Sequence, residues 1–201
     1  MESQSAARSK DVVYVEDLEL ARHAAGGNAH ARRQLVRRVF GRAQRIARAL
    51  LGNATDAEDA AQECMLELLA SAKGYRGQAP LERWADRVVV RSCRRWGHRQ
   101  HRRDSRIDAS ITPDQLQRAP RLALAREQMP RPVEEYLDRL PEPQREVLVL
   151  RHVLGFSLAE IGEQVDAKER TVRYRLSAGL QTLRGLIRRD CAIGVGKGVQ
   201  A

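Results

Sequence analysis

The chain has 201 residues, of which 42% are hydrophobic but only 4% aromatic, and its formal net charge is +10. This length holds one ordinary domain or two small ones, with cores built mainly from Leu, Val, Ile and Ala. The charge favours a polyanionic partner, either nucleic acid or an anionic membrane surface. No apolar run approaches membrane-spanning length, and the N-terminus lacks the apolar core of a signal peptide, so neither membrane insertion nor secretion is expected.

Three cysteines, Cys64, Cys93 and Cys191, are odd in number and widely spaced along the chain. This usage is typical of free thiols in a reducing compartment, which fits a bacterial-type cytoplasm or a nucleus.

Helical periodicity runs from residue 17 to 103 and again from 133 to 189, and no run of alternating β-branched residues is present. Residues 104–132 are polar and contain four prolines, which predicts a flexible linker, with one short helix near 122–128. Residues 1–16 form an N-terminal tail, and the glycine-rich residues 190–201 are expected to be disordered. The prediction is an all-α chain with two small helical domains joined by a flexible linker, the second a helix-turn-helix.

The stretch NATDAEDAAQECMLELLASAKGYRG predicts a helix with one acidic side. Thr55 followed by Glu58 has the spacing of a capping box at the start of that helix. From composition alone, the acidic side fits simple solvation, a favourable position near the positive end of the helix dipole, or a surface for docking a protein.

The next stretch, PLERWADRVVVRSCRRWGHRQHRR, carries seven arginines and no acid between Arg87 and Arg103. Apolar positions beneath them predict a buried stripe. The members of that stripe are Leu81, Trp84, Val88, Val89, Cys93 and Trp96. Such a dense basic helix indicates a nucleic-acid contact, because each neutralised phosphate adds to affinity. The alternative is that the arginines are simply solvated at the end of a helix, and this fits only the last residues, HRQHRR.

In SLAEIGEQVDAKERTVRYRL, Ser157 and Glu160 form a second predicted capping box, and two short apolar stripes follow, separated by a turn of about three residues. This pattern is typical of a helix-turn-helix, with the helix around Val147–Leu154 covering its apolar side. Val172, Leu176, Leu180 and Leu183 cluster on one face of the second helix. The opposite face is basic and includes small residues, which suits phosphate and base-edge contacts in DNA.

Three alternatives to this interpretation are a metal site, an enzyme and a conventional regulator. His98 with His101, or Cys93 with His98, resembles part of a metal site, but no second ligand pair has zinc-finger spacing, so no metal or other cofactor is expected. A nuclease would need clustered acids beside the basic helix. The acids here lie on another predicted helix, so an enzyme is not expected. The nearest alternative is a conventional helix-turn-helix regulator that binds duplex operator DNA alone.

From about Leu18 to Leu186 the chain resembles an extracytoplasmic-function (ECF) sigma factor of the sigma-70 family, a specificity subunit of bacterial RNA polymerase. DAEDAAQE is similar to the family's core-binding helix, GYRGQAPLERWADRVVVRSCRRW to the segment that melts and reads the −10 element, and LPEPQREVLVLRHVLGFSLAEIGEQV with RTVRYRL to the region that reads the −35 element. The resemblance implies sigma region 2 at 17–103 and region 4 at 133–189.

The resemblance also implies partners: the core polymerase, promoter DNA and an anti-sigma factor, in the cytoplasm. It places core docking on five residues of the acidic helix, namely Asp56, Glu58, Asp59, Gln62 and Glu63. It places −10 contacts on Tyr75, Arg87, Arg91, Ser92, Arg94, Arg95 and Arg99. It places −35 contacts on Lys168, Arg170, Thr171, Arg173, Tyr174, Arg175 and Ser177.

Three positions depart from the family's pattern. Arg91 stands where Asn is common, near a base flipped out of the −10 strand. Asp166 replaces a usual Gly in the turn, and Asp tolerates a left-handed backbone better than most residues. Lys168 replaces a usual Ser or Pro at the start of the second helix and cannot supply a side-chain acceptor there.

Overall fold

The computed structural model describes residues 14–104 and 129–194, in which all regular secondary structure is helical, as predicted. The α-helices are α1 (Val15–Ala25), α2 (Ala29–Leu51), α3 (Ala54–Ser71), α4 (Leu81–Asp104), α5 (Val133–Asp138), α6 (Glu142–Leu148), α7 (Leu158–Val165) and α8 (Glu169–Ala192). A 3₁₀ turn, Ala72–Gly74, follows α3, and a π-helical turn, Val149–Val153, extends α6. Within the described ranges, every helix is too short or too polar to cross a membrane.

The chain divides into two compact units, one drawn from Met1–Ala47 and Thr55–His98 and the other from Arg48–Ala54 and Arg99–Ala201. Two units were predicted, but Arg48–Ala54 had been placed in the first one. The predicted tails were too long, since α1 begins at Val15 and α8 continues to Ala192. The short helix predicted near 122–128 lies outside the described residues.

The C-terminal end of α8 is helical because Asp190 is anchored. This carboxylate is only 4% exposed and accepts hydrogen bonds from Arg131 (2.7 Å) and Arg139 (3.4 Å). Burial is the largest single influence and raises the pKa of Asp190, but hydrogen bonding and the positive charges of Arg131 and Arg139 together lower it by more, so the pKa lies below its ordinary value and the carboxylate stays charged. Glycine-rich composition had suggested disorder from residue 190, and this ion cluster is the reason that the suggestion was wrong there.

The N-terminal unit combines a core of small aliphatic residues with ion pairs between helices. Arg42 on α2 donates two hydrogen bonds, of 2.6 and 2.7 Å, to Asp86 on α4, whose side chain is 2% exposed. Asp17 on α1 accepts from Arg38 at 2.6 Å and from the backbone amide of Leu81 at 3.0 Å, and so caps the first residue of α4. Charge pairing and capping therefore fix how α4 sits on α1 and α2.

In the C-terminal unit, α5, α6 and α7 all pack on α8. Tyr136 and Phe156 are the largest fully buried side chains of this core. Gly179 lies where α8 packs tightly on α6, since a Cβ atom there would be 2.9 Å from Cδ1 of Leu148. This packing holds one side of α8 and leaves its N-terminal half accessible on the other.

Candidate nucleic-acid and polymerase interfaces

The turn between α7 and α8 has the geometry expected of a helix-turn-helix. The capping box is confirmed: the Glu160 amide donates to Oγ of Ser157 at 3.2 Å, and the Ser157 amide donates to the Glu160 carboxylate at 2.9 Å. Asp166 ends α7 in the left-handed conformation, with φ 49° and ψ 54°. As anticipated, Lys168 precedes α8 without a side-chain cap.

Gly162 makes this turn compact, although no sequence pattern pointed to this residue. The amide of Ala167 donates to the Gly162 carbonyl at 3.0 Å, folding the turn back over α7. A Cβ atom on Gly162 would lie 2.7 Å from the Ala167 carbonyl oxygen, closer than side chains and backbone approach each other. Any side chain at this position would therefore push the turn, and the start of α8, away from α7.

The outer side of α8 is available for binding. Val172, Gly179 and Ile187 are buried, while Leu176 and Leu180 from the predicted stripe are only half-buried. Of the residues predicted to contact the −35 element, five are exposed and two are half-buried. The exposed ones are Lys168, Arg170, Thr171, Arg173 and Ser177, and the half-buried ones are Tyr174 and Arg175. An ion pair with Glu169, at 2.9 Å, already holds Arg173.

On α4 the arginines form a narrow strip. Arg91, Arg95 and Arg99 are exposed and follow one another at intervals of four residues, while Arg87 and Arg94 are half-buried. Positions four apart on a helix are about 6 Å apart, which suits phosphates along one strand. Arg95 forms an ion pair with Glu67 of α3, so a phosphate would have to compete with that carboxylate.

Two further residues predicted to contact the −10 element, Tyr75 and Ser92, are buried inside the N-terminal unit. Tyr75 is 4% exposed and Ser92 is 2% exposed. The Tyr75 hydroxyl donates to the Ala79 carbonyl at 2.6 Å, and its ring centroid is 5.4 Å from that of Trp84. Burial raises the pKa of Tyr75 to about 12. The structure therefore does not bring these side chains onto the surface with the arginines, and a DNA contact by either would require local rearrangement.

The acidic helix α3 begins at Ala54, so Thr55 lies within its first turn and the predicted capping box was wrong. Its buried side is small and apolar, including Ala57, Ala61 and Cys64. All five predicted core-docking residues lie on the opposite side. Glu58, Asp59 and Gln62 are exposed, and Asp56 and Glu63 are half-buried.

Leu66 is the residue that sequence reasoning missed on this surface. It is 70% exposed, although large apolar side chains are usually covered. Because it follows Asp59, Gln62 and Glu63 by seven, four and three residues, it lies on the same face as these polar groups. That helical spacing was the signal that could have found it. We call Asp59, Gln62, Glu63 and Leu66 the α3 face.

The alternative of a metal site, at His98 with either His101 or Cys93, has little support in the part of the chain that the structure describes. Cys93 is buried and His98 is exposed, so their side chains are not on one surface. No group of three or more His, Cys, Asp or Glu residues suited to a metal ion occurs among the described residues, and the His101 side chain lies outside them.

Comparison with known proteins decides between the sigma factor and the conventional regulator. Residues 35–104 match the family model for sigma-70 region 2, and residues 131–183 match that for sigma-70 region 4. The chain is 30% identical over 171 residues to the ECF RNA polymerase sigma factor SigM of Mycobacterium tuberculosis, covering 85% of this chain and 84% of SigM. The chain belongs to the ECF sigma factors. It is a non-catalytic subunit that directs RNA polymerase to promoters.

Two solved structures share the fold of this sigma factor. CnrH, in complex with the cytosolic domain of CnrY, is 23% identical with a TM-score of 0.55, covering 87% of this chain and 98% of CnrH. The sigma factor RpoE of Bartonella quintana, in complex with the anti-sigma factor NepR, is 20% identical with a TM-score of 0.56, covering 79% and 97%. At these identities the likeness establishes the arrangement of helices in the fold and not the role of any residue.

Proposed function

We propose that this sigma factor divides its work among three helices: α3 docks on the core polymerase, α4 contacts the −10 element and α8 reads the −35 element. The observation that carries the division is the separation of charge. The exposed side of α3 is acidic around Leu66, whereas the exposed sides of α4 and of the first half of α8 are lined with arginines. Acidic surfaces repel DNA, so α3 suits a protein partner and the other two suit DNA.

The α3 face has the composition of a protein-binding surface. A large apolar side chain surrounded by polar groups is the usual arrangement of an interface anchor and its rim. The acids would be complementary to a basic partner surface, and Leu66 would pack into an apolar recess within that surface. We assign this role to Leu66 in addition to the five residues implied by the family resemblance.

On α8 we assign base reading to the exposed Arg170 and the half-buried Arg175. Arginine pairs with the edge of guanine through two parallel hydrogen bonds. Arg173 is held by Glu169 and suits a phosphate contact, where position matters more than sequence. On α4 we assign phosphate contacts to Arg91, Arg95 and Arg99.

A transcription assay tests the whole proposal. Run-off transcription with purified core polymerase on genomic fragments should give start sites that depend on this protein and on sequences at −10 and −35. Tight binding to duplex DNA without core polymerase, and no dependent start sites, would contradict the proposal and favour a conventional regulator.

Charge reversal tests the docking role of α3. The variant Asp59→Arg with Glu63→Arg should lose core association, because the acids would now repel a basic partner surface. The matched control is Glu16→Arg with Glu19→Arg, which makes the same change in net charge at two exposed residues of α1. Association is measured by co-purification with core polymerase. Equal loss of association in both variants, or no loss in either, would show that α3 is not part of the interface.

We also propose that an anti-sigma factor regulates this chain in the cytoplasm. RpoE and CnrH, which share the fold, were solved in complexes, with NepR and with the cytosolic domain of CnrY. Co-purification of the tagged sigma factor from its native host under non-inducing conditions, followed by competition with core polymerase, tests the regulator. A captured protein that leaves core association unchanged would not be an anti-sigma factor.

A further inference from the structure

Two cysteines from different helices meet inside the N-terminal unit. The Sγ atoms of Cys64 on α3 and Cys93 on α4 are 3.8 Å apart, and both side chains are 0% exposed. The Cys64 thiol also lies 3.7 Å from the carbonyl oxygen of Val89. A disulfide needs its sulfur atoms about 2.05 Å apart, so a modest adjustment of the two side chains and helices would allow the bond to form.

The contact between the thiols makes them chemically unequal. The hydrogen bond with Cys93 lowers the pKa of Cys64 below its ordinary value, although burial acts in the opposite direction. The same hydrogen bond and burial raise the pKa of Cys93 well above its ordinary value. Because the thiolate is the reactive form, Cys64 is the better nucleophile of the two.

We propose that Cys64 and Cys93 form a site of reversible oxidation whose co-substrate is hydrogen peroxide. The Cys64 sulfur attacks one peroxide oxygen, so that an S–O bond forms, the O–O bond breaks and one water leaves after protonation. The Cys93 sulfur then attacks the Cys64 sulfur, forming the S–S bond and breaking the S–O bond with release of a second water. Two thiols are oxidised by two electrons, and one peroxide is reduced to two waters. A small dithiol reverses the reaction by exchange.

Burial sets the rate of this reaction. A peroxide reaches the pair only when α3 and α4 open locally, so oxidation should be slower than at an exposed thiol. Cys191, which is exposed on the other unit, provides the internal reference.

The disulfide would alter the α3 face, and this consequence rests on the docking role proposed above. Glu63 of that face is adjacent to Cys64, and Glu67 of the same helix pairs with Arg95, two residues beyond Cys93. Drawing the helices together at the sulfur atoms shifts the acidic surface relative to α4. We expect core association to weaken about tenfold, which corresponds to about 1.4 kcal/mol.

Peptide mapping tests the site without polymerase. The full chain carrying Cys191→Ala, which keeps the buried pair, is treated with hydrogen peroxide under native conditions and then alkylated. A Cys64–Cys93 cross-link that dithiothreitol removes is expected, and the variants Cys64→Ala and Cys93→Ala should form none. Thermal melts check that these variants fold, and the Cys191→Ala result stands if they do not. Recovery of both buried cysteines as unlinked peptides, under conditions that oxidise Cys191 in the unaltered chain, would overturn the proposal.

Core association tests the consequence. Binding of reduced and oxidised Cys191→Ala protein to core polymerase is compared by competition. Weaker binding of the oxidised form, restored by dithiothreitol, supports the switch, and equal binding overturns it. Failure of the reduced form to bind would instead refute the docking role of this sigma factor, while the peptide map would still report on the oxidation site.

Discussion

Helices α4 and α8 are each 24 residues long and carry the arginines assigned to promoter DNA, yet they are packed differently. Buried residues cover more than half of the circumference of α4, including the polar side chains of Asp86 and Ser92. On α8 the fully buried positions are few, and both flanks of its first half stay accessible. The arginines of α4 are therefore restricted to a strip, whereas α8 offers a broad surface.

The difference teaches when the periodicity of a helix predicts its outer face. On α8 one side is covered by α5, α6 and α7, so apolar spacing identified the side that faces solvent. On α4, the ion pair with Arg42 of α2 buries Asp86, a charged position that the predicted apolar stripe does not include. The family resemblance placed Ser92 with the DNA-contacting residues, whereas helical spacing from Val88 and Trp96 puts it within the apolar stripe, and its side chain is buried.

The turn before α8 gives the largest expected effect on stability. Gly162→Ala should destabilise the C-terminal unit by about 1–3 kcal/mol, since its Cβ atom would be forced against the backbone of Ala167. The matched control is Gly185→Ala, because a Cβ atom at Gly185 meets nothing within 4 Å. That change should stabilise α8 by about 0.5–1 kcal/mol.

Urea unfolding can distinguish the unfolding transitions of the two units. Both tryptophans, Trp84 and Trp96, lie in α4, so tryptophan fluorescence reports on the N-terminal unit alone. In Gly162→Ala, far-ultraviolet circular dichroism should detect unfolding of the C-terminal unit at a lower urea concentration. The transition in tryptophan fluorescence should stay at the same urea concentration. A shift of both transitions would mean that the units unfold together, and a shift of neither would show that the turn tolerates a side chain.

The second prediction compares one arginine from each helix. Arg175→Ala should cost about 1–3 kcal/mol of promoter binding by the holoenzyme if the side chain reads a base. Arg95→Ala should cost under about 1 kcal/mol, since Arg95 must leave Glu67 to reach a phosphate. Binding measured on promoters with native and scrambled −35 sequences checks the difference. Loss of discrimination in Arg95→Ala but not in Arg175→Ala would reverse the assigned roles.

The third and smallest effect concerns the buried Tyr75 beside α4. Its folded pKa of about 12 exceeds the ordinary value of 10, so its contribution to stability is full below pH 10 and is lost as the pH rises towards 12. Tyr75→Phe should cost about 1 kcal/mol at neutral pH by removing the hydrogen bond to Ala79. The fluorescence-detected stability difference between the two proteins should shrink over that alkaline interval. A constant difference would indicate that the hydroxyl is already accessible to solvent.

Much of the fold could be predicted because its signals are local. Ser157 with Glu160 and the apolar spacing of α7 each act within a few residues, and the structure confirms them. Thr55 was misplaced because a Thr and a Glu three residues apart within the first turn of a helix have the same spacing as the pair in a capping box. Leu66 was missed because an apolar residue in a helix is usually covered, although its spacing from Glu63 and Gln62 already placed it on the acidic face, where the structure shows it exposed.

The sequence by itself determined the helical class, the basic outer face of α8, the acidic face of α3 and the resemblance that the family comparison confirmed. These depend on residue type and on a fixed helical period. The tertiary structure alone decided which polar groups are buried, that Gly162 and Gly179 are points of close approach, and that Cys64 meets Cys93. Those contacts join residues distant in the chain, and their distances depend on how whole helices pack.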